Sequence, residues 1–144
     1  WGQIQPMAAF LIGVTIADGS LWDLNRMIKI ETGKHAFPNY STYGCYCGWG
    51  GKGQPMDETD WCCHQHDCCY EKLDKRGCRT KTDSYHFFHL FGKVYCGLGS
   101  WCEKQICECD RTLVLCLKEH MKSYKKRYRY YRNSQCKGKK PWCS

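Results

Sequence analysis

The residues best suited to chemistry lie in one string, Cys62-Cys63-His64-Gln65-His66-Asp67-Cys68-Cys69-Tyr70. Histidine titrates near neutrality and takes a proton from water when a second group fixes its tautomer and steadies the imidazolium that forms. His66, followed directly by Asp67, is the candidate base, whereas His64 faces another side of the same helix and reads as a histidine bonded to backbone. Upstream, residues 43–55 include Gly44, Gly48, Gly50, Gly51 and Gly53, so this stretch is a loop whose backbone takes conformations other residues avoid. Such a loop can turn several carbonyl oxygens inward because it lacks side-chain hindrance, and carbonyl and carboxylate oxygens are the hard ligands that calcium takes. A purely structural glycine turn would leave the acid directly after the histidine unexplained.

These groups need helices to hold them. Asp57-Glu58-Thr59-Asp60 places acids where a helix N-terminus favours them, and the pattern runs on without Gly or Pro to Arg76, where Gly77 stops it. Asp60 is read as ordinary capping with no role in the site. A second long helix is expected from Glu103 to about Lys126, with Ile106, Val114, Leu117 and Met121 facing inward. A short amphipathic helix is expected over residues 21–29, with Leu21, Leu24, Met27 and Ile28 on one stripe and Trp22 off it. Residues 79–101, rich in aromatics and turning at Gly92 and Gly97, suit a small β-hairpin or an irregular wing. Cys62 and Cys69 are seven residues apart, as are Cys109 and Cys116, so each pair lies about two turns apart on one helix face. If the two long helices run antiparallel, Cys62 meets Cys116 and Cys69 meets Cys109, which brings Asp110 within about one turn of His66. A histidine–carboxylate couple follows from that spacing.

Fourteen cysteines in 144 residues point to a disulfide-stapled single domain made in an oxidising compartment. Structural zinc is disfavoured, because adjacent and alternate cysteines are too closely spaced for separate tetrahedral sites. The apolar run 7–16, followed by Ala17, Asp18 and Gly19, reads as a signal peptide over residues 1–19 with the mature domain at 20–144. The run is too short to span a bilayer, and since it opens at Trp1 without an initiator Met or a basic stretch, its N-terminus is expected to be truncated. The formal net charge is +8, and ten of the 22 basic residues fall between Lys118 and Lys140, where Glu119 is the only acid. Polyanions are the implied partners.

The motif C-C-x-x-H-D-x-C at Cys62–Cys69, the loop Y-G-C-x-C-G-x-G-G at Tyr43–Gly51 and C-x-C-D at Cys107–Asp110 occur here in the order found in secreted phospholipases A2. The chain resembles that family over essentially all of residues 20–144. Cys68 beside Cys69 and the basic extension ending in Cys143 resemble its group II, and the strings GKGQPMDETDWCC and GSWCEKQICECD are most similar to the group IID subtype. The resemblance implies a mainly α, disulfide-rich fold: a short N-terminal helix, a glycine-rich calcium loop, two long antiparallel disulfide-linked helices and a small β-wing. It also implies the bridges Cys45–Cys136, Cys47–Cys63, Cys62–Cys116, Cys68–Cys143, Cys69–Cys109, Cys78–Cys102 and Cys96–Cys107.

The implied activity is calcium-dependent hydrolysis of the sn-2 ester of glycerophospholipids by a secreted, monomeric enzyme. In that reading His66 is the base, Asp110 supports it, and Tyr70 and Tyr85 hydrogen-bond Asp110. The calcium ligands would be the carbonyls of Tyr46, Gly48 and Gly50 with Asp67, and the Gly48 N–H would help to hold the oxyanion. Leu21, Leu24 and Ile28 would line the acyl channel, while Trp22 and Trp49 would sit at the membrane surface, where indole rings favour the headgroup region. Anionic phospholipid membranes and heparan sulfate are the expected partners of the basic surface, with nucleic acid excluded by the secreted setting. The chain departs from the family in carrying Asp23 where Gln is usual, which bears on the network anchoring the N-terminus. Asn39-Tyr40-Ser41 is a glycosylation sequon. A non-catalytic heparan-sulfate or receptor-binding ligand on the same fold is the competing reading.

Overall fold

The computed structural model describes residues 19–48 and 50–144; the expected signal segment and Trp49 lie outside them. Helix α1, Gly19–Thr32, extends beyond the apolar stripe at both ends and stops at the Thr32-Gly33 step that the sequence offers as its end. It closes where Thr32 Oγ1 donates to Ile28 O at 2.7 Å and Gly33 takes a φ of +78°, the left-handed conformation that ends many helices. Its buried face carries Leu24, Met27 and Ile28 together with two acids, Asp23 and Glu31. Glu31 has a tertiary task, accepting from Val94 N at 2.8 Å and standing 3.5 Å from Lys118 Nζ. A single turn, α2, follows at Ala36–Asn39.

Helix α3 spans Glu58–Lys75 and α4 spans Trp101–Glu119. Asp57 caps α3 by accepting from Asp60 N at 2.9 Å, and Ser100 and Glu103 form a reciprocal capping box on α4. The two helices pack together through Cys62–Cys116 and Cys69–Cys109. The antiparallel wing pairs β1, Phe87–Leu90, with β2, Lys93–Cys96, from Phe87↔Cys96 to Leu90↔Lys93. Phe91 and Gly92 both have positive φ, as a two-residue type I′ turn requires.

Helix α4 ends at Glu119, several residues before the expected Lys126. Beyond it the chain makes three 3-10 turns, at Met121–Ser123, Lys126–Tyr128 and Asn133–Gln135. Tertiary bonds compete with the helical ladder here: Tyr124 OH donates to Asn39 O, Lys125 N donates to Tyr43 OH at 3.0 Å, and Gly44 N donates to Tyr128 O at 2.9 Å. The tyrosines of this stretch thus form a layer on the loop region, with the Tyr43 and Tyr124 rings 4.7 Å apart. Asn39 belongs to this layer: its Nδ2 donates to His35 O at 2.9 Å and its Oδ1 accepts from Arg129.

Seven disulfides join all fourteen cysteines. Besides the two between α3 and α4 they are Cys45–Cys136, Cys47–Cys63, Cys68–Cys143, Cys78–Cys102 and Cys96–Cys107. A chain this small buries too little surface to be generously stable on packing alone, and bridges of this kind typically contribute about 2–4 kcal/mol each. No helix among the described residues is long and apolar enough to cross a membrane.

Candidate active site

The antiparallel clamp of α3 on α4 sets His66 against Asp110, with His66 Nε2 2.7 Å from Asp110 Oδ1. Asp110 is 0% exposed, a costly place for a charge unless it is fully hydrogen-bonded. Tyr70 OH donates to Oδ1 and Tyr85 OH to Oδ2, each at 2.6 Å, so α3 and the segment before the wing supply the missing donors. Burial first, and then the adjacent carboxylate, pushes both tyrosine hydroxyls far above their ordinary range, so they remain donors. With Nε2–H spent on Asp110, Nδ1 is the ring nitrogen left without a hydrogen-bond partner among the described residues, and His66 lines a cavity. That is the geometry of an oriented base: carboxylate behind, lone pair in front.

Asp67 follows on the same helix and lines the same cavity. Its carboxylate makes no hydrogen bond or direct ion pair among the described residues, and burial pushes its pKa up to about 7. A desolvated acid without a protein partner suits a bound cation. The facing loop suits one too. Tyr46, Gly48 and Gly50 use none of their carbonyls in a hydrogen bond among the described residues. Gly48 has a φ of +85°, and a Cβ there would lie 1.7 Å from Ser41 O, so only glycine fits. Asp67 Oδ2 lies 3.7 Å from the position a Gly51 Cβ would take, which sets the carboxylate against the loop. The donor set of carbonyls and carboxylate is that of calcium rather than zinc. Cys62, Cys116 and His120 come close together, but those sulfurs are bonded to each other and are not available as metal ligands.

Asp60 corrects the reading of it as a mere cap. It is 0% exposed, and its carboxylate accepts from Cys45 N at 2.7 Å, Tyr46 N at 2.8 Å and Met56 N at 2.8 Å. A Cβ on Gly44 would fall 2.5 Å from that carboxylate, so the loop packs directly on it. Asp60 therefore gives the glycine-rich loop its shape. The signal in the sequence was indirect: a loop with so many glycines needs an external acceptor for its N–H groups, and Asp60 is one of three acids just after it. His64 is bonded as expected, its Nε2 lying 3.1 Å from Pro141 O.

The cavity measures about 560 Å³ and is walled by Leu21, Leu24 and Ile28 of α1 with Leu113 and Leu117 of α4. Trp22 lies outside that lining and is 53% exposed. Asp23, the departure from the expected Gln, is buried beside the site: its Oδ2 accepts from Tyr85 N at 3.3 Å, and Arg26 Nη1 is 3.7 Å from Oδ1. Burial raises its pKa, with Asp110 adding a smaller push in the same direction. Asp23 thus ties α1 to the tyrosine that supports Asp110. At the mouth, Lys81 and Lys140 join the lining, and Trp142, 85% exposed, stands two residues beyond Lys140. The sequence reading passed over Lys140 and Trp142 because nothing in their spacing connects them to the histidine helix.

A histidine–carboxylate pair on clamped antiparallel helices thus stands beside a glycine-rich loop and an apolar cavity in a small disulfide-bonded protein. The comparisons give the family. A model of the family Phospholipase A2 matches residues 21–129. The chain is 52% identical over 134 residues to "Group IID secretory phospholipase A2" of Mus musculus, covering 92% of this chain and 93% of that protein. It is 53% identical over 124 residues to a basic phospholipase A2 of Trimeresurus stejnegeri, covering 86% of this chain and all of that protein. It is 53% identical over 131 residues to "Basic phospholipase A2 homolog bothropstoxin-II" of Bothrops jararacussu, covering 91% of each. The chain belongs to the phospholipase A2 family. It is a secreted member of that family, in keeping with its cysteine content.

Proposed function

We propose that this protein hydrolyses the sn-2 ester of glycerophospholipids at membrane surfaces in a calcium-dependent reaction, releasing a fatty acid and a lysophospholipid. The observation that carries the reading is the free Nδ1 of His66 at the cavity wall, with Nε2 held by the buried Asp110. His66 takes a proton from water through Nδ1, and Asp110, held by Tyr70 and Tyr85, steadies the imidazolium. Leu21, Leu24 and Ile28 hold the acyl chain and keep bulk water out of the channel. Calcium, when bound, polarises the ester carbonyl as a Lewis acid. The carbonyls of Tyr46, Gly48 and Gly50 with the Asp67 carboxylate would hold it, and the Gly48 N–H adds a donor for the oxyanion.

Trp22 and Trp142, each next in sequence to a residue that lines the cavity, are exposed indoles available for the headgroup region, and the basic stretch after Lys118 draws the protein to anionic surfaces, membrane or heparan sulfate. The protein acts as a monomer. A non-catalytic binding role on the same fold is the second reading, favoured by a close relative whose name calls it a homolog. Retention of both His66 and Asp67 supports catalysis instead. The deciding measurement is sn-2 fatty-acid release from mixed vesicles with calcium or with chelator. Release that persists in chelator would remove calcium from the reaction, and no release in either condition would leave the binding role.

A further inference from the structure

The C-terminal strap is fastened on both sides of Lys140. Cys136 is bonded to Cys45 in the glycine-rich loop, and Gln54 N donates to Lys137 O at 2.8 Å. Gln54 Nε2 donates to Lys139 O at 2.7 Å, His64 Nε2 lies 3.1 Å from Pro141 O, and Cys143 is bonded to Cys68 beside Asp67. The backbone at Lys140 is therefore fixed by bonds to its immediate neighbours. Its ammonium lies 6.0 Å from the centroid of the Tyr46 ring, over the loop, and the residue lines the cavity mouth with Asp67 and Lys81. Lys140 makes no ion pair among the described residues. Three acids line the same cavity: Asp74 accepts from Thr80 N and Oγ1, Glu71 Oε1 lies 3.7 Å from Cys143 Sγ, a disulfide sulfur with no proton to give, and Asp67 is the carboxylate whose charge Lys81 and Lys140 favour.

We propose that Lys140 selects the headgroup of the bound lipid, favouring one with net negative charge and disfavouring one that ends in a quaternary ammonium. The proposal rests on the phospholipase reading above. A headgroup at the mouth carries its phosphate in either case. A choline beyond that phosphate brings a second cation toward Lys140, whereas a glycerol does not. Because the ammonium is exposed, the interaction is screened, and exposed charge pairs are worth at most about 1 kcal/mol, or roughly fivefold in affinity. Its fixed backbone is what lets one exposed lysine act at one place.

The test uses the whole folded protein with calcium and short-chain diether lipids below their aggregation concentration, so that neither an interface nor turnover contributes. Dihexyl-ether phosphatidylglycerol and phosphatidylcholine are titrated against the wild type, Lys140→Met, Lys140→Glu and Lys139→Met, with amide chemical shifts as the readout. Lys139→Met removes the same charge next door without touching the cavity. The glycerol-over-choline preference should fall about three- to fivefold in Lys140→Met, fall further in Lys140→Glu, and hold in Lys139→Met. An unchanged preference in Lys140→Met overturns the proposal, as does an equal fall in Lys139→Met, which would assign the effect to overall charge. Glycerophosphoglycerol, the headgroup without chains, is the control ligand; equal Lys140-dependent binding of it would mean a free-phosphate site and also overturn the proposal. Hydrolysis of the matching diesters is followed in parallel. Its absence would refute the phospholipase reading, while the diether preference alone decides Lys140.

Discussion

Replacing Asp60 by Asn tests how the glycine-rich loop gets its shape. The carboxylate accepts three backbone N–H groups, two at Oδ2 from Cys45 and Met56 and one at Oδ1 from Tyr46. An amide keeps one oxygen, and if that oxygen serves Cys45 and Met56, the NH2 group faces the N–H of Tyr46, donor against donor. A hydrogen bond to a charged group is worth about 1.5–3 kcal/mol, and burying the unpaired donors adds to the loss, so about 3 kcal/mol is at stake. The helix cap is untouched, because Asp57 still accepts from the residue 60 N–H, and seven disulfides hold the rest. The loss therefore falls on the loop. Passed wholly into the population of the calcium-competent loop, 3 kcal/mol weakens calcium binding by about a hundredfold. Calorimetric calcium titration of wild type and Asp60→Asn reads this directly, with thermal unfolding as the control for global damage. An Asn variant that binds calcium within threefold of wild type would refute the idea that Asp60 organises the site.

Three further outcomes are expected. His66→Gln abolishes sn-2 release yet leaves calorimetric calcium affinity within about threefold, since it removes the base and no metal ligand; residual turnover above a few per cent would dismiss His66 as the base. For Asp67, burial raises the carboxyl from 3.8 to about 7, so the calcium-free fold holds this proton more tightly than the unfolded chain does. Its charge therefore costs stability progressively as pH rises from about 4 to about 7, and calcium must compete with the proton below pH 7; apparent calcium affinity, measured by titration at several pH values, should fall on acidification through that window, and a flat profile would count against Asp67 as a ligand. Neutralising Lys126, Arg127 and Arg132, all exposed, should weaken heparin binding and its salt dependence while leaving hydrolysis of a monomeric short-chain ester unchanged, whereas Arg129 is to be left alone because it bonds Tyr124 OH and Asn39.

What could be read from the sequence was whatever a regular element projects into space. Seven-residue spacing in both helices, taken with an antiparallel arrangement, related Cys62 and Cys69 to Cys116 and Cys109, and with them His66 to Asp110, because helical geometry converts numbers into faces. Aromatic clustering and glycine placed the wing and its turn at Gly92 but did not decide between a hairpin and an irregular loop; the Phe87–Cys96 pairing does. Asp60 was not legible, since its partners are N–H groups of an irregular loop, for which no periodicity exists. The end of α4 was missed for a related reason: residues 120–126 contain neither glycine nor proline, and what stops the helix is distant, at Asn39 and Tyr43. Lys140 and Trp142 lie on a strap whose path is set by Cys136 and Cys143, and no local pattern announces it.

That strap also sets an order of assembly. Cys45 is bonded to a residue 91 positions later and Cys68 to one 75 positions later, so two parts of the site are tied to a stretch made after every other element of the domain. During synthesis the glycine-rich loop and the histidine helix exist for most of the chain's emergence with these two partners still missing. Oxidative pairing is what completes them, and it occurs only beyond the reducing compartment. Completion of the site is thereby coupled to oxidation: a nascent or reduced chain lacks the two covalent ties that finish the loop and the histidine helix.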